Sequence, residues 1–484
     1  MKKSLLFVHK WLGIALALLF LVWFASGMVL YFVPFPSLSP AAKLTGMPLL
    51  AVDDDCCLTA QQAAARNGLD FAQARLGMNG ATPVWRLLRT APDLRWIAVD
   101  ALTGAPVPAL TAHQAMAMAA AFTGRRAVHM EALERDQWTV AQGFNPYRPL
   151  LRVELEGDDG LEVYVSPGAA DVVGATRRTE RAWNWVGAIP HWIYFTELRR
   201  WPERWHHVVV WLSLPGVLLA ATGLALGIWQ LFLNRSRWIP YRVFWMHWHH
   251  VLGLAAGVVT LTWIFSGLMS MNPFSVFSPR GATADEQQRW TGPAATARLN
   301  PAAAVQLAAP LAAREVESLG FNGQAWYRVR GVDATLLVRA DGGPDTTPLP
   351  ALPDADVHAA LTGLRTTAPV ELTRLAAYDP LYYARGDHPA QRQNRPLPVW
   401  RARWADGVAA YADPASARIV LRADDSNRWQ RLLYNGLHSF DFAPLLARPW
   451  LRDGVVVVLS LLGTALSITA CVVAWRVFVP RRRR

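Results

Sequence analysis

Charge is scarce in this chain of 484 residues: only 17% are Asp, Glu, Lys or Arg, where soluble domains average about 25%. Cysteine is scarcer still. Three in all exclude the disulfide framework that staples small secreted domains. Cys56 and Cys57 are adjacent, and adjacent residues rarely reach disulfide geometry; Cys471 lies in an apolar run, the setting of an inert buried thiol. No G-x-G-x-x-G follows a strand pattern and no G-x-x-x-x-G-K-[ST] occurs, so no nucleotide or flavin site is legible.

What is abundant is apolar. Hydrophobic residues make up 52% of the chain, with 23 tryptophans, and they gather into four runs at 5–33, 208–233, 251–271 and 455–479. Each is long enough for a bilayer, which needs about 20 residues. The first run follows Lys2 and Lys3 as a signal peptide does, but it exceeds a typical h-region and ends in no small-x-small cleavage site, so it reads as an anchored helix.

The net charge of +12 could serve nucleic acid or anionic lipid. Its location decides. Lys2, Lys3 and Lys10 precede or open the first run, Arg235, Arg237 and Arg242 follow the second, and arginines fill 481–484; none of these segments holds an acidic residue. The positive-inside rule makes them cytoplasmic and the two long loops periplasmic in a Gram-negative host. They are topology signals, and nucleic acid drops out as a partner. No acidic residue interrupts a run, which removes the usual relay of a proton- or cation-coupled transporter.

The loops carry α+β patterns. "LTAQQAAARNG" reads as a helix start, "PVWRLLR" and "RWIAVDALTG" as strands around a turn, and "PLLRVELEGDDGLEVYVSP" as a hairpin. The second loop repeats the theme with "NPAAAVQLAAPLAA" and "QAWYRVRGVDATLLVRADGG". The expected layout is a first transmembrane helix (1–34), an outer module (35–200), helix two (201–234), a cytoplasmic loop (235–245), helix three (246–272), a second module (273–450), and helix four with its basic tail (451–484).

The halves repeat. A shift of 240 residues lays His9 on His249, Gly13 on Gly253, Trp23 on Trp263, Ser26 on Ser266 and Gly27 on Gly267. A shift of 247 lays Arg148 on Arg395, Tyr164 on Tyr411, Arg181 on Arg428, His191 on His438, Ser213 on Ser460 and Gly216 on Gly463. Runs one and three both point outward, so the fold class is membrane α-helical: four transmembrane helices as two parallel repeats, each with a periplasmic α+β module.

Of twelve histidines, two pairs keep this register: His9/His249 and His191/His438. Equivalent positions from two halves can face one axis, and two imidazoles from opposing helices are the natural axial clamp of a haem in a helical bundle. The bland alternative is interfacial hydrogen bonding among belt tryptophans such as Trp185, Trp192 and Trp201. Zinc or copper fits less well, because no carboxylate or cysteine recurs beside the histidines. His207, His250 and His247 form a second rank of candidates. Their counterparts Gly454, Lys10 and Phe7 break the pairing, as Asp453 does for His206. His113, His129, His358 and His388 read as surface residues of the outer modules, and the paired serines as helix-internal hydrogen bonders or packing contacts.

"HKWLGIALALLFLVWFASGMVLY" and "HHVLGLAAGVVTLTWIFSGLMSMNPF" resemble the first-helix pattern of the PepSY-associated transmembrane family, His-x-x-x-Gly followed by Ser-Gly. "GLHSFDF" and "IPHWIYF", each followed by an apolar returning helix, resemble its histidine-plus-helix pattern, although "IPHWIYF" lacks the glycine that often follows the family histidine. The resemblance covers all four runs, and the outer modules look like degenerate PepSY domains.

It implies an inner-membrane, haem-containing reductase of ferric siderophores associated with iron uptake. Two b-type haems would sit on His9, His249, His191 and His438, and a ferric chelate would be reduced on the periplasmic side. A b-type group also suits the absence of C-x-x-C-H. Electrons would come from quinol or a cytoplasmic reductase. Arg148, Arg181, Arg395 and Arg428 could favour an anionic chelate or serve structural ion pairs. Other PepSY-containing proteins are linked to protease regulation, which leaves a second expectation: a non-enzymatic membrane adaptor that binds a peptide.

Overall fold

The computed structural model describes residues 2–53, 56–233, 239–343, 345–385 and 394–479. Arg235, Arg237, His388 and the arginines at 481–484 lie outside the described residues. Among those described, four helices are long and apolar enough to cross a membrane. They are span one (Lys2–Phe32), span two (Pro202–Leu233), span three (Phe244–Ser270) and span four (Pro449–Phe478).

Three of them begin six or seven residues before the apolar runs do. Hydropathy marks only the part matched to hydrocarbon, whereas backbone hydrogen bonding carries a helix on through the interface. Local chemistry sets the starts: Pro202 and Pro449 open spans two and four at the position where a missing N–H costs nothing. Glu203 adds a negative charge to the first turn of span two, where it suits the helix dipole.

The chain divides into two compact units. The first comprises the described residues of Met1–Phe35, Thr179–Ser278 and Ser426–Arg484. In it spans one and three each pack against both two and four, closing a ring. Leu16, Phe20, Phe24, Leu219, Ala220 and Ile264 fill its centre. Short helices at Ala188–Trp192 and Leu437–Ser439 precede spans two and four. Each ends in a left-handed residue, Ile193 at φ 52° and Phe440 at φ 53°.

The second unit comprises Pro36–Arg178 and Pro279–Asp425. In its first segment lie β1 (Phe71–Asn79), β2 (Thr82–Arg89), β3 (Trp96–Asp100), β4 (Ala127–Leu133), β5 (Leu150–Leu155), β6 (Glu162–Ser166) and β7 (Asp171–Thr176). The second segment holds β8 (Glu315–Phe321), β9 (Gln324–Arg330), β10 (Thr335–Arg339), β11 (Glu371–Leu375), β12 (Val399–Arg403), β13 (Ala409–Asp413) and β14 (Arg418–Ala423). Strands β4–β7 and β11–β14 make two antiparallel four-stranded meanders, and the rest join in one six-stranded sheet, β10-β9-β8-β1-β2-β3. The joint is the antiparallel pair β1–β8, which sets Arg75 opposite Glu317. Helices begin at Thr59 and Asn300 as the sequence suggests, each side chain capping its first turn.

Two expectations change. Cys56 and Cys57 do form a disulfide: the peptide between them is cis, and both side chains are buried in the sheet core. Cys471 is half-buried on span four rather than enclosed. The register at Arg148 also slips. The ladders place Arg152 opposite Tyr164 and Arg401 opposite Tyr411, so at this point equivalent residues stand 249 apart. Arg148 and Arg395 accordingly occupy different surroundings. Arg148 donates to the carbonyls of Glu134 and Thr139, and burial draws its guanidinium down to about 10. Arg395 donates to the Val420 carbonyl and lies over the Tyr382 ring. The Arg148 bonds tie loop segments together, and the Arg395 bond ties its loop to strand β14.

Candidate functional site

Span one carries His9 near its start, and eighteen residues later it carries Gly27. Eighteen residues are five helical turns, so both positions share a face about 27 Å apart. Span three repeats this spacing with His249 and Gly267. Each span therefore presents an imidazole at one depth and a gap at another. The gaps receive the remaining histidines: a Cβ on Gly27 would stand 2.8 Å from Cε1 of His191, and one on Gly267 would stand 3.4 Å from Cε1 of His438.

The four paired histidines meet two by two. The rings of His9 and His249 lie 6.3 Å apart between centroids, those of His191 and His438 6.2 Å. A metal ion sits about 2 Å from an imidazole nitrogen, and that nitrogen lies about 1 Å from its own ring centre. Two imidazoles sharing one ion thus hold their centroids about 6 Å apart, which is the separation both pairs adopt.

The other ring nitrogen of each histidine is tied down. His9 Nδ1 donates to the Leu219 carbonyl at 3.2 Å and His191 Nδ1 to the Trp23 carbonyl at 3.1 Å. His249 Nδ1 meets the Thr469 hydroxyl at 3.2 Å and His438 Nδ1 the Ser266 hydroxyl at 3.0 Å. Those hydroxyls also lie within donating distance of the carbonyls of Leu466 and Trp263, which leaves their lone pairs available to the imidazoles. His9 and His191, facing carbonyls, therefore carry the proton on Nδ1 and the lone pair on Nε2, and the hydroxyls of Thr469 and Ser266 can accept the same Nδ1 proton from His249 and His438. That is the tautomer of a metal-ligating histidine held by an outer partner.

A cavity of about 460 Å³ surrounds the His9/His249 pair, within the range of cofactor sites. Gly13, Gly223, Gly227, Gly253 and Gly257 line it, with Phe20 and Thr260 at one end and Lys10 at the other. Glycine is needed at 223, where a Cβ would stand 2.6 Å from Cε1 of His9. Among the described residues no three His, Cys, Asp or Glu side chains gather as a metal cluster would. Paired imidazoles, an apolar wall and room for a flat ring fit a haem, which needs only two axial ligands from the protein.

The remaining histidines divide. His250 is buried against the Tyr241 ring and lines the cavity, as its counterpart Lys10 does, although the two differ in residue type. His247 contacts the Tyr241 carbonyl, and His207 is exposed beside His206. His113, His129 and His358 are exposed. Ser26 and Ser266 bond their own helices as expected, but they also reach His191 and His438. That contact joins two segments far apart in sequence, so neither helix pattern signals it.

The family described as PepSY-associated TM region matches residues 6–476. No curated protein matches the chain.

Proposed function

The chain belongs to the PepSY-associated transmembrane family, and from that premise we propose that it is a membrane electron-transfer protein. In this reading His9/His249 and His191/His438 each hold a b-type haem, and the electrons reduce a ferric chelate such as a ferric siderophore. The carrying observation is that both pairs combine a centroid separation of 6.3 or 6.2 Å with an anchored Nδ1 on every ring. Haem iron, when bound, supplies the one-electron chemistry.

The chain's own residues do the rest. Four Nε2 atoms bind. Leu219, Trp23, Thr469 and Ser266 fix the ring orientations, and Gly223 and Gly27 leave room for the rings. The Phe20, Phe24 and Ile264 core between the pairs keeps water out. A separation of about 27 Å along the spans sets one pair near each side of a hydrocarbon core about 30 Å thick.

Topology belongs to the same proposal. Lys2, Lys3, Lys10 and Arg242 place the termini and the short loop in the cytoplasm and the sheet unit in the periplasm of an inner membrane. Two parallel repeats account for the pairing, since each imidazole pair takes one ring from each half. They also account for Gly13 against Leu219 and Gly253 against Leu466, contacts related by the two shifts. Quinol or a cytoplasmic reductase supplies electrons.

An optical spectrum of the purified protein tests the reading. The dithionite-reduced form shows Soret and α bands, and His9→Ala and His438→Ala each remove a different share of them. A bandless wild-type protein rejects the reading and returns the chain to the adaptor class. Bands that survive both substitutions reject the ligand assignment.

A further inference from the structure

The two halves anchor their histidines differently. His9 and His191, from the first half, donate to backbone carbonyls. His249 and His438, from the second, have Nδ1 against the side-chain hydroxyls of Thr469 and Ser266. Each pair therefore has one ring whose Nδ1 meets a backbone carbonyl and one whose Nδ1 meets a side-chain hydroxyl that can be replaced. The counterpart of Thr469 in the first half is Thr222, whose hydroxyl bonds its own helix at the Leu218 and Leu219 carbonyls. The counterpart of Ser266 is Ser26, which lies 3.4 Å from His191 Nδ1 and gives its proton to Val22 at 2.5 Å.

We propose that Thr469 and Ser266 are positioning residues that set the donor strength of His249 and His438, and through them the reduction potential of each haem separately. The inference rests on the di-haem reading above. A hydrogen bond from Nδ1–H makes the imidazole a stronger base and fixes its plane. A stronger axial base favours ferric over ferrous iron and lowers the potential. Each hydroxyl is itself polarised, because it donates to a helix carbonyl while accepting from the ring; for Thr469 that donation is 2.6 Å long. At the His9/His249 pair the hydroxyl meets the His249 ring while the backbone holds His9. At the other pair Ser266 stands closer to its ring, at 3.0 Å, than Ser26 does at 3.4 Å, so each depth has one hydroxyl whose removal bears most on the ring it meets.

The test is a redox titration of the purified full-length protein followed by absorbance, with the ferric low-spin EPR signals recorded alongside. Thr469→Val raises the potential of the His9/His249 haem and leaves the other in place. Ser266→Ala raises that of the His191/His438 haem alone. Thr469→Ser keeps the wild-type value, and Thr464→Val, whose hydroxyl bonds only the Ser460 carbonyl of its own helix, shifts neither. Unmoved potentials and EPR signals in Thr469→Val and Ser266→Ala overturn the inference, as does an equal shift in Thr464→Val. If Thr469→Val loses its haem, retention at the wild-type potential in Thr469→Ser supports the role, and loss in both overturns it. A wild-type protein without haem bands fails the functional reading itself; bands with unmoved potentials fail only this inference.

Discussion

At the scale of single residues, one hydrogen atom in place of a methyl group decides where the imidazoles can sit. A Cβ at position 223 would stand 2.6 Å from the His9 ring, while one at 267 would stand 3.4 Å from His438. Gly223→Ala therefore displaces His9, at an overpacking cost of about 1–3 kcal/mol, and on the di-haem proposal it lowers haem retention at that pair. Gly267→Ala stays close to wild type. Haem-to-protein ratios of the two variants check this, and equal retention would refute it. The four histidines were legible in the sequence because each recurs in register in the other half. Their partners were not. Leu219 and Trp23 act through carbonyls, which every residue carries, and Thr469 acts where its counterpart Thr222 bonds its own helix. Comparing two halves finds a shared residue type but misses a contact made by one half alone.

At the scale of elements, span packing turns on Gly463, whose absent Cβ would fall 2.0 Å from the Phe24 ring. Spans one and four thus approach as closely as a glycine permits. Its counterpart Gly216 is less crowded, with Ile264 at 3.1 Å and Phe20 at 3.3 Å. Gly463→Ala should cost about 1–3 kcal/mol, and Gly216→Ala less. Adding Phe24→Leu should recover part of the Gly463→Ala loss, because residues in contact couple non-additively. Thermal unfolding of the four proteins in detergent reads this, and strict additivity would show that the ring and the glycine do not meet. The long helices and the hairpins were legible because their periodicity is local. The β1–β8 joint was not, since its partners Leu76 and Val316 lie in different loops, and alternation in one strand does not name the strand beside it.

At the scale of the whole molecule, the sheet unit depends on charges buried where its segments meet. Asp171 on β7 holds Lys43 at 2.6 Å and lies 3.9 Å from both Arg75 and Arg86, while Glu315 on β8 holds Arg330 at 2.7 Å and faces Arg75 at 3.8 Å. Both carboxylates are almost fully buried, at 4% and 2% exposure. Burial pushes their pKa values up, but Lys43, Arg86 and Arg75 hold Asp171 below the usual range, and Arg75, Arg330 and Lys43 do the same for Glu315. A carboxylate depressed in the folded state adds stability above its unfolded pKa, about 3.9 for Asp and 4.3 for Glu, and that stability is lost as pH falls through the folded value. The cluster therefore contributes in full at neutral pH and fails only in acid, below about pH 4. Asp171→Asn strands Lys43 beside Arg75 and Arg86 without their counter-charge and should cost about 3–5 kcal/mol at pH 7. It should also flatten the acid limb of the stability profile. Tryptophan fluorescence during denaturant unfolding, repeated between pH 3 and 8, measures both effects. A variant as stable as wild type at pH 7, with the same acid limb, would mean that this junction is held by its apolar neighbours rather than by charge.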